Sequence, residues 1–273
     1  EQEGEDRLGA GADLRVRRTG IGVVAQRVGA QAVAESLGLV RVEHLAGGGA
    51  AQFQPVGGAE QLHPDLADRL GGIVVDLDYT TSPVAPWPVA FDQCYDASAY
   101  TFVHCAEWGG NERCVSIGGY SAGGALAAGV ALKAGQTGDF RFNAQVLGYP
   151  PLDNIIDPDY KKDSLIRVLP RERELAFSAL YFADDREAMA HPYGSPSYAP
   201  DEMLAKLPRT LVITAGSCNF RFEDEEYAQR VAHAGVEVVV KRFHEMFHGF
   251  IPHLMGQWKE AADLIVRTVR VEA

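Results

Sequence analysis

Residues 113–133 read RCVSIGGYSAGGALAAGVALK. The run over 113–117 predicts a short strand, and the small residues of 125–133 predict a helix. Between them stands Gly119-Tyr120-Ser121-Ala122-Gly123. A G-x-S-x-G placed between a strand and a helix has the context of a nucleophile elbow, a turn so tight that the Ser is forced into strained backbone torsions while Gly on either side keeps the neighbouring chain clear. The Ser121 hydroxyl would then be presented at a helix N-terminus, where the dipole favours developing negative charge. A Gly-rich turn is the plain alternative in a chain with 29 Gly; the flanking strand and helix decide for the elbow.

Outward from this stretch the chain alternates. Further strands are expected at 72–78, 145–147, 210–215 and 237–243, with helical patterns in the gaps, as in βαβ units and a mainly parallel sheet. Tyr227, Ala228, Val231 and Ala232 form one apolar stripe, and Trp258, Ala261, Ala262, Ile265 and Val269 form that of a C-terminal helix. About 60 charged and aromatic residues separate the strand ending near Tyr149 from the one starting at Thr210, too many for a simple crossover. They read as an inserted helical lid at about 153–207. Residues 1–45 show little periodicity before Val23 and are set apart as an N-terminal segment, expected to be truncated because the chain begins without Met. The expected organisation is this segment followed by one α/β domain, 46–273, carrying the lid.

Composition excludes several classes. The chain has 273 residues, 47% hydrophobic and 23% charged, enough for a sizeable core. With 25 Lys and Arg against 37 Asp and Glu its formal net charge is -12, which opposes docking on nucleic acid or anionic lipid. The least polar stretch, 115–132, contains Ser116, Tyr120, Ser121 and several Gly, so no membrane span is expected. The start EQEGED lacks the features of a secretory signal. Cys94, Cys105, Cys114 and Cys218 are too sparse for a disulfide scaffold and too widely spaced for a zinc site. They read as reduced, mostly buried thiols, and the expected location is cytoplasmic.

A Ser hydroxyl needs a base to take its proton, supplied in this arrangement by a His on a loop after the last strand. His248, in Phe247-His248-Gly249-Phe250, has that position, and His244, nearer the strand end, is its rival. Glu107, Asp157 with Asp159, and Asp184 with Asp185 carry no His at ligand spacing, so no metal is assigned. Gly47 to Gly49 does not continue into a phosphate-binding pattern.

These motifs resemble, in order, those of the hormone-sensitive-lipase (fold-3) family of α/β-hydrolases over roughly residues 61–260. Asp78-Tyr79 with Ser82-Pro83, Trp87-Pro88, and Asp92 through Tyr95 are similar to its D-Y-x-x-x-P, F-P and D-C-Y elements. Gly119 to Gly124 reads as its nucleophile motif, Ser195-Pro196 with Ala199-Pro200 as its S-P-x-x-A-P, and His248-Gly249-Phe250 as its base. The resemblance implies an α/β-hydrolase fold and a serine carboxylesterase acting on small-molecule esters of short to medium acyl chains. No cofactor is implied, and a homodimer is compatible with it.

The chain departs from the family pattern twice. In place of H-G-G-G-F it offers Ala46-Gly47-Gly48-Gly49-Ala50. Oxyanion donors are backbone N–H groups, so Gly48 and Gly49 together with Ala122 are the expected donors; an unrelated Gly-rich loop is the alternative. Where the family's acid should stand, nine residues before Tyr227, the chain has Cys218. Asn219, Glu223 and Asp153 are the substitutes to consider, with a relocated carboxylate slightly preferred. If none serves, the chain is a catalytically impaired hydrolase-fold protein that binds a ligand or a partner.

Overall fold

A computed structural model of the chain describes residues 38–43, 59–77, 79–162 and 169–270. Its strands are β1 (Gly38–Glu43), β2 (Ile73–Leu77), β3 (Ser116–Tyr120), β4 (Ala144–Gly148), β5 (Arg209–Ser217) and β6 (Val238–Phe247). They form one sheet in the order β2-β1-β3-β4-β5-β6, every neighbouring pair parallel. Helices α1 (Ala59–Leu70) and α8 (Trp258–Val269) cover one face, and α2 (Val89–His104), α3 (Ala122–Thr137) and α7 (Arg221–His233) cover the other.

The faces follow from the two-residue period of the strands. Ile117, Leu147 and Val212 point toward Phe91, Leu126, Leu132 and Tyr227. Tyr120, Val146, Leu211, Ile213 and Phe243 point the other way, toward Leu62, Leu66, Ala262 and Ile265. A sheet buried on both sides is read in sequence as continuous apolar runs, as β3 to β5 are. The sheet is thus the α/β, parallel arrangement expected, with three differences.

First, Gly38–Glu43, placed before the expected boundary at residue 46, is an inner strand of the sheet. Second, β3 begins at Ser116 rather than 113, because the side chain of Asn111 accepts the Arg113 N–H and holds Glu112–Cys114 in a 3₁₀ turn. The strand runs on to Tyr120, directly against the nucleophile position. Third, β6 extends to Phe247, four residues beyond expectation: a bulge between Ala215 and Ser217 lets Ser217 pair with Phe247. On α7, Tyr227, Ala228 and Val231 are buried as expected, but Ala232 is exposed.

The stretch 149–208 between β4 and β5 carries α4 (Arg171–Phe182), α5 (Arg186–Ala190) and α6 (Asp201–Leu204). Trp87, ahead of α2, packs on Phe91, Tyr181, Phe182 and His191, and its backbone N–H donates to Tyr181 O at 2.6 Å. Arg230 of α7 donates to Ser197 O and Ala199 O, fixing the Ser195-to-Pro200 segment. No helix among the described residues is long and apolar enough to cross a membrane.

Candidate active site

Ser121 joins β3 to α3 with φ 53° and ψ -126°, a conformation that costs a non-Gly residue on the order of 1–3 kcal/mol and persists only where its surroundings enforce it. Its N–H donates to Gly148 O at 2.9 Å, and its carbonyl accepts from Gly124 N and Ala125 N. A Cβ at Gly124 would lie 3.0 Å from Pro150 Cβ and 3.1 Å from Gly119 O, so the close passage of helix and strand requires Gly there.

His248 follows β6 immediately. Its Nε2 lies 2.8 Å from Ser121 Oγ, within reach for proton transfer. The ring is held edge-on between Tyr149, centroid distance 5.0 Å, and Phe220, 5.4 Å. Desolvation, with a smaller contribution from His253, pushes its pKa down to about 4. The imidazole is therefore neutral at physiological pH and able to accept a proton. His244, the rival, is an exposed residue within β6.

The other ring nitrogen, Nδ1, lies 3.3 Å from Cys218 Sγ. The contact lies just beyond the register shift at the end of the β5–β6 pair, where β6 advances four residues against two on β5. A Cβ at Gly216 would fall 1.9 Å from His244 O, so only Gly lets β5 pass β6 this closely, and Arg221 secures the turn by donating to Gly216 O at 2.9 Å. Burial, and next the charge of Asp224, push the thiol well above its ordinary range; the Phe220 N–H pulls the other way. Cys218 is thus a neutral thiol where a carboxylate would otherwise stand.

The preference for a relocated acid is corrected here, because each substitute is engaged elsewhere. Asp153 Oδ1 accepts from Ile155 N and Ile156 N, and both its oxygens accept from Tyr198 OH. Glu223 accepts from Leu152 N and Asp153 N and forms a 2.7 Å ion pair with Lys161. Asn219 donates to Leu169 O and Glu174 and accepts from Leu169 N. These contacts explain why Glu223 and Asn219 flank the site without entering it: they tie the 149–208 stretch to the start of α7. None of the ties was visible in sequence, since each joins residues 45 or more positions apart.

Ser121 and His248 open into a cavity of about 800 Å³, bounded by Tyr79, Leu126, Phe177, Tyr181 and Met189 among others. Ala122 also lines it, at the first turn of α3. Gly48, Gly49 and Asp78 lie outside the described residues. Among the described residues no group of His, Cys, Asp and Glu is placed to hold a metal ion, and all four Cys are buried and form no disulfide.

A parallel sheet with a Ser elbow after a central strand and a His after the last defines the α/β-hydrolase class. Residues 44–252 match the family model described as an alpha/beta hydrolase fold. The chain belongs to the hormone-sensitive-lipase (fold-3) family of α/β-hydrolases. It is similar to the carboxylesterase NlhH of Mycobacterium tuberculosis, 29% identical over 181 residues, which cover 66% of this chain and 56% of that protein. The chain thus matches little more than half the length of this relative. Among solved structures, carboxyl esterase 2 of the fungus Tuber melanosporum is 28% identical with a TM-score of 0.76, covering 86% of this chain and 79% of that one. The hyperthermophilic esterase of the archaeon Pyrobaculum calidifontis is 29% identical with a TM-score of 0.74, covering 86% and 77%.

Proposed function

We propose that the chain is a serine carboxylesterase that hydrolyses small-molecule esters of short to medium acyl chains through a Ser121 acyl-enzyme. The observation that carries the reading is the 2.8 Å contact between His248 Nε2 and the hydroxyl of Ser121, made at a strained elbow that opens into the cavity. The three similar proteins named above are each called an esterase, which points the same way.

In this mechanism His248 takes the Ser121 proton as Oγ attacks the ester carbonyl. The oxyanion collects the N–H groups of Ala122, Gly48 and Gly49, and the imidazolium then gives its proton to the departing alcohol. Water, deprotonated by the same His, attacks the acyl-enzyme and releases the acid. All of these steps use groups of the chain, the substrate and water. The stretch at about 153–207 acts as a lid whose α4 side chains wall the acyl pocket.

One observation favours a second reading, a hydrolase-fold binding protein with little turnover: the thiol of Cys218 at Nδ1 is a poorer partner for an imidazolium than a carboxylate. Rates on p-nitrophenyl acetate, butyrate and octanoate separate the two. The esterase reading expects measurable hydrolysis that is fastest on the shorter chains. A maximum at octanoate would defeat the chain-length assignment, and absence of Ser121-dependent turnover would leave the binding reading.

A further inference from the structure

Next to the strained Ser121 at the end of β3 stands a second strained residue at the end of β4. Tyr149 has φ 41°, left-handed backbone that a bulky side chain adopts only where its surroundings enforce it. The two residues are joined, because the Ser121 N–H donates to the carbonyl of Gly148, the residue before Tyr149. The Tyr149 N–H in turn donates to Ile213 O at 2.8 Å, carrying the β4–β5 pairing one residue past the end of β4. The side chain is fully buried, and no step of the proposed mechanism uses it.

This backbone fixes the place of the ring. Tyr120 packs across Gly148, where a Cβ would fall 2.3 Å from Tyr120 Cδ1, and stacks on Tyr149 at a centroid distance of 6.0 Å. The Tyr149 ring stands 5.0 Å from the imidazole of His248 and 5.7 Å from the ring of Phe250. Its phenol oxygen accepts from the Ile251 N–H at 3.3 Å. One side chain, rooted beside the serine elbow, thus touches the base itself and the chain two and three residues beyond it.

In a Ser-His-acid unit the carboxylate at Nδ1 holds the orientation of the imidazole as well as stabilising its charge. Here Nδ1 meets the thiol of Cys218 at 3.3 Å, and a thiol is a weak donor and a weak acceptor. The Nε2 atom nevertheless lies 2.8 Å from Ser121 Oγ. We propose that Tyr149 is a positioning residue for His248, holding Nε2 on Ser121 Oγ through the ring contact and the tie to Ile251, and so performing the orienting half of the task of the missing carboxylate. The inference rests on the Ser121–His248 reading above.

The test is a cycle of four proteins: wild type, Y149L, C218D and C218D/Y149L, with kcat and KM measured on p-nitrophenyl acetate at a temperature where melting curves show each to be folded. Because a misplacement of about 1 Å costs on the order of 10²-fold in rate, Y149L in the Cys218 chain should lower kcat at least about tenfold and leave KM within about twofold. In the C218D chain, where a carboxylate orients the imidazole, Y149L should change kcat less than about threefold, since the two groups share one task. Unchanged kcat in the Cys218 chain, or equal losses in both chains, overturns the proposal, the latter because it marks a purely structural role. If Y149L does not fold, Y149F, which keeps the ring and removes the tie to Ile251, is carried through the same cycle. A loss of at least about threefold in the Cys218 chain and a smaller one in the C218D chain is then expected, and unchanged kcat or equal losses again overturn the proposal. Failure of the esterase reading looks different: wild type itself then neither turns over nor labels with a fluorophosphonate.

Discussion

Replacing Cys218 by Asp tests the site at its weakest point. In the wild-type chain Nδ1 meets a neutral sulfur at 3.3 Å; a carboxylate there would accept a charge-assisted hydrogen bond at about 2.7–2.9 Å, roughly twice as strong as a neutral one. Loss of the acid function in serine hydrolases costs about 10⁴ in rate, which bounds the gain from above. The new carboxylate would share a dry site with Asp224, and like charges raise one another's pKa, so part of that gain is lost. The expectation is a rise in kcat/KM of at least about tenfold, equivalent to about 1.4 kcal/mol of transition-state stabilisation. It should fall in kcat, because the imidazolium exists only on the way to and from the tetrahedral intermediate. The acid limb of kcat/KM should move upward from near the present value of about 4 for His248, since an adjacent negative charge favours the protonated ring. Steady-state kinetics from pH 4 to 9 on a variant shown to be folded read both effects. A folded C218D variant with unchanged or lower kcat/KM and an unmoved limb would refute the reasoning.

Three further outcomes follow from the same contacts. His248→Ala should cost several orders of magnitude in kcat, as members of a catalytic unit do, whereas His244→Ala, exposed on β6, should leave the rate within a few-fold; the reverse ranking would reassign the base. Glu223→Gln should reduce the free energy of unfolding in urea by about 3 kcal/mol, the usual cost of breaking a buried ion pair, while kcat changes only a few-fold, and a loss of several orders in rate would make Glu223 the acid after all. Because the folded state lowers the His248 pKa from 6.5 to about 4, the unfolded chain binds that proton first. The stability linked to neutral His248 is complete above pH 6.5 and is lost as pH falls toward 4. His248→Gln should therefore gain on wild type in melting temperature across that window, and a constant difference would contradict the shift.

The sequence was most legible where local chemistry is repeated along the chain. Ser121 between a strand and a helix of small residues, and His248 before Gly249, could be read because each depends on neighbours a few positions away. β1 was missed because Gly38 to Glu43 carries no turn signal and sits beside residues without periodicity. The end of β6 was misjudged because it depends on a register shift between β5 and β6, with the extra residues on β6, and a register shift is a relation between two strands. The role of Cys218 was located by counting back from Tyr227, yet its partner at Nδ1 could be found only in three dimensions. The same holds for Glu223 and Asn219, whose polar side chains near an active site suggested chemistry but prove to anchor the 149–208 stretch.

The central claim, a Ser121 nucleophile activated by His248, is tested most directly by reacting the protein with a fluorophosphonate and mapping the adduct by peptide mass spectrometry. The account predicts one adduct per chain, carried on the peptide containing Ser121, absent from Ser121→Ala and slowed by orders of magnitude in His248→Ala. No adduct on a folded wild-type chain, or an adduct on another residue that survives Ser121→Ala, would contradict it.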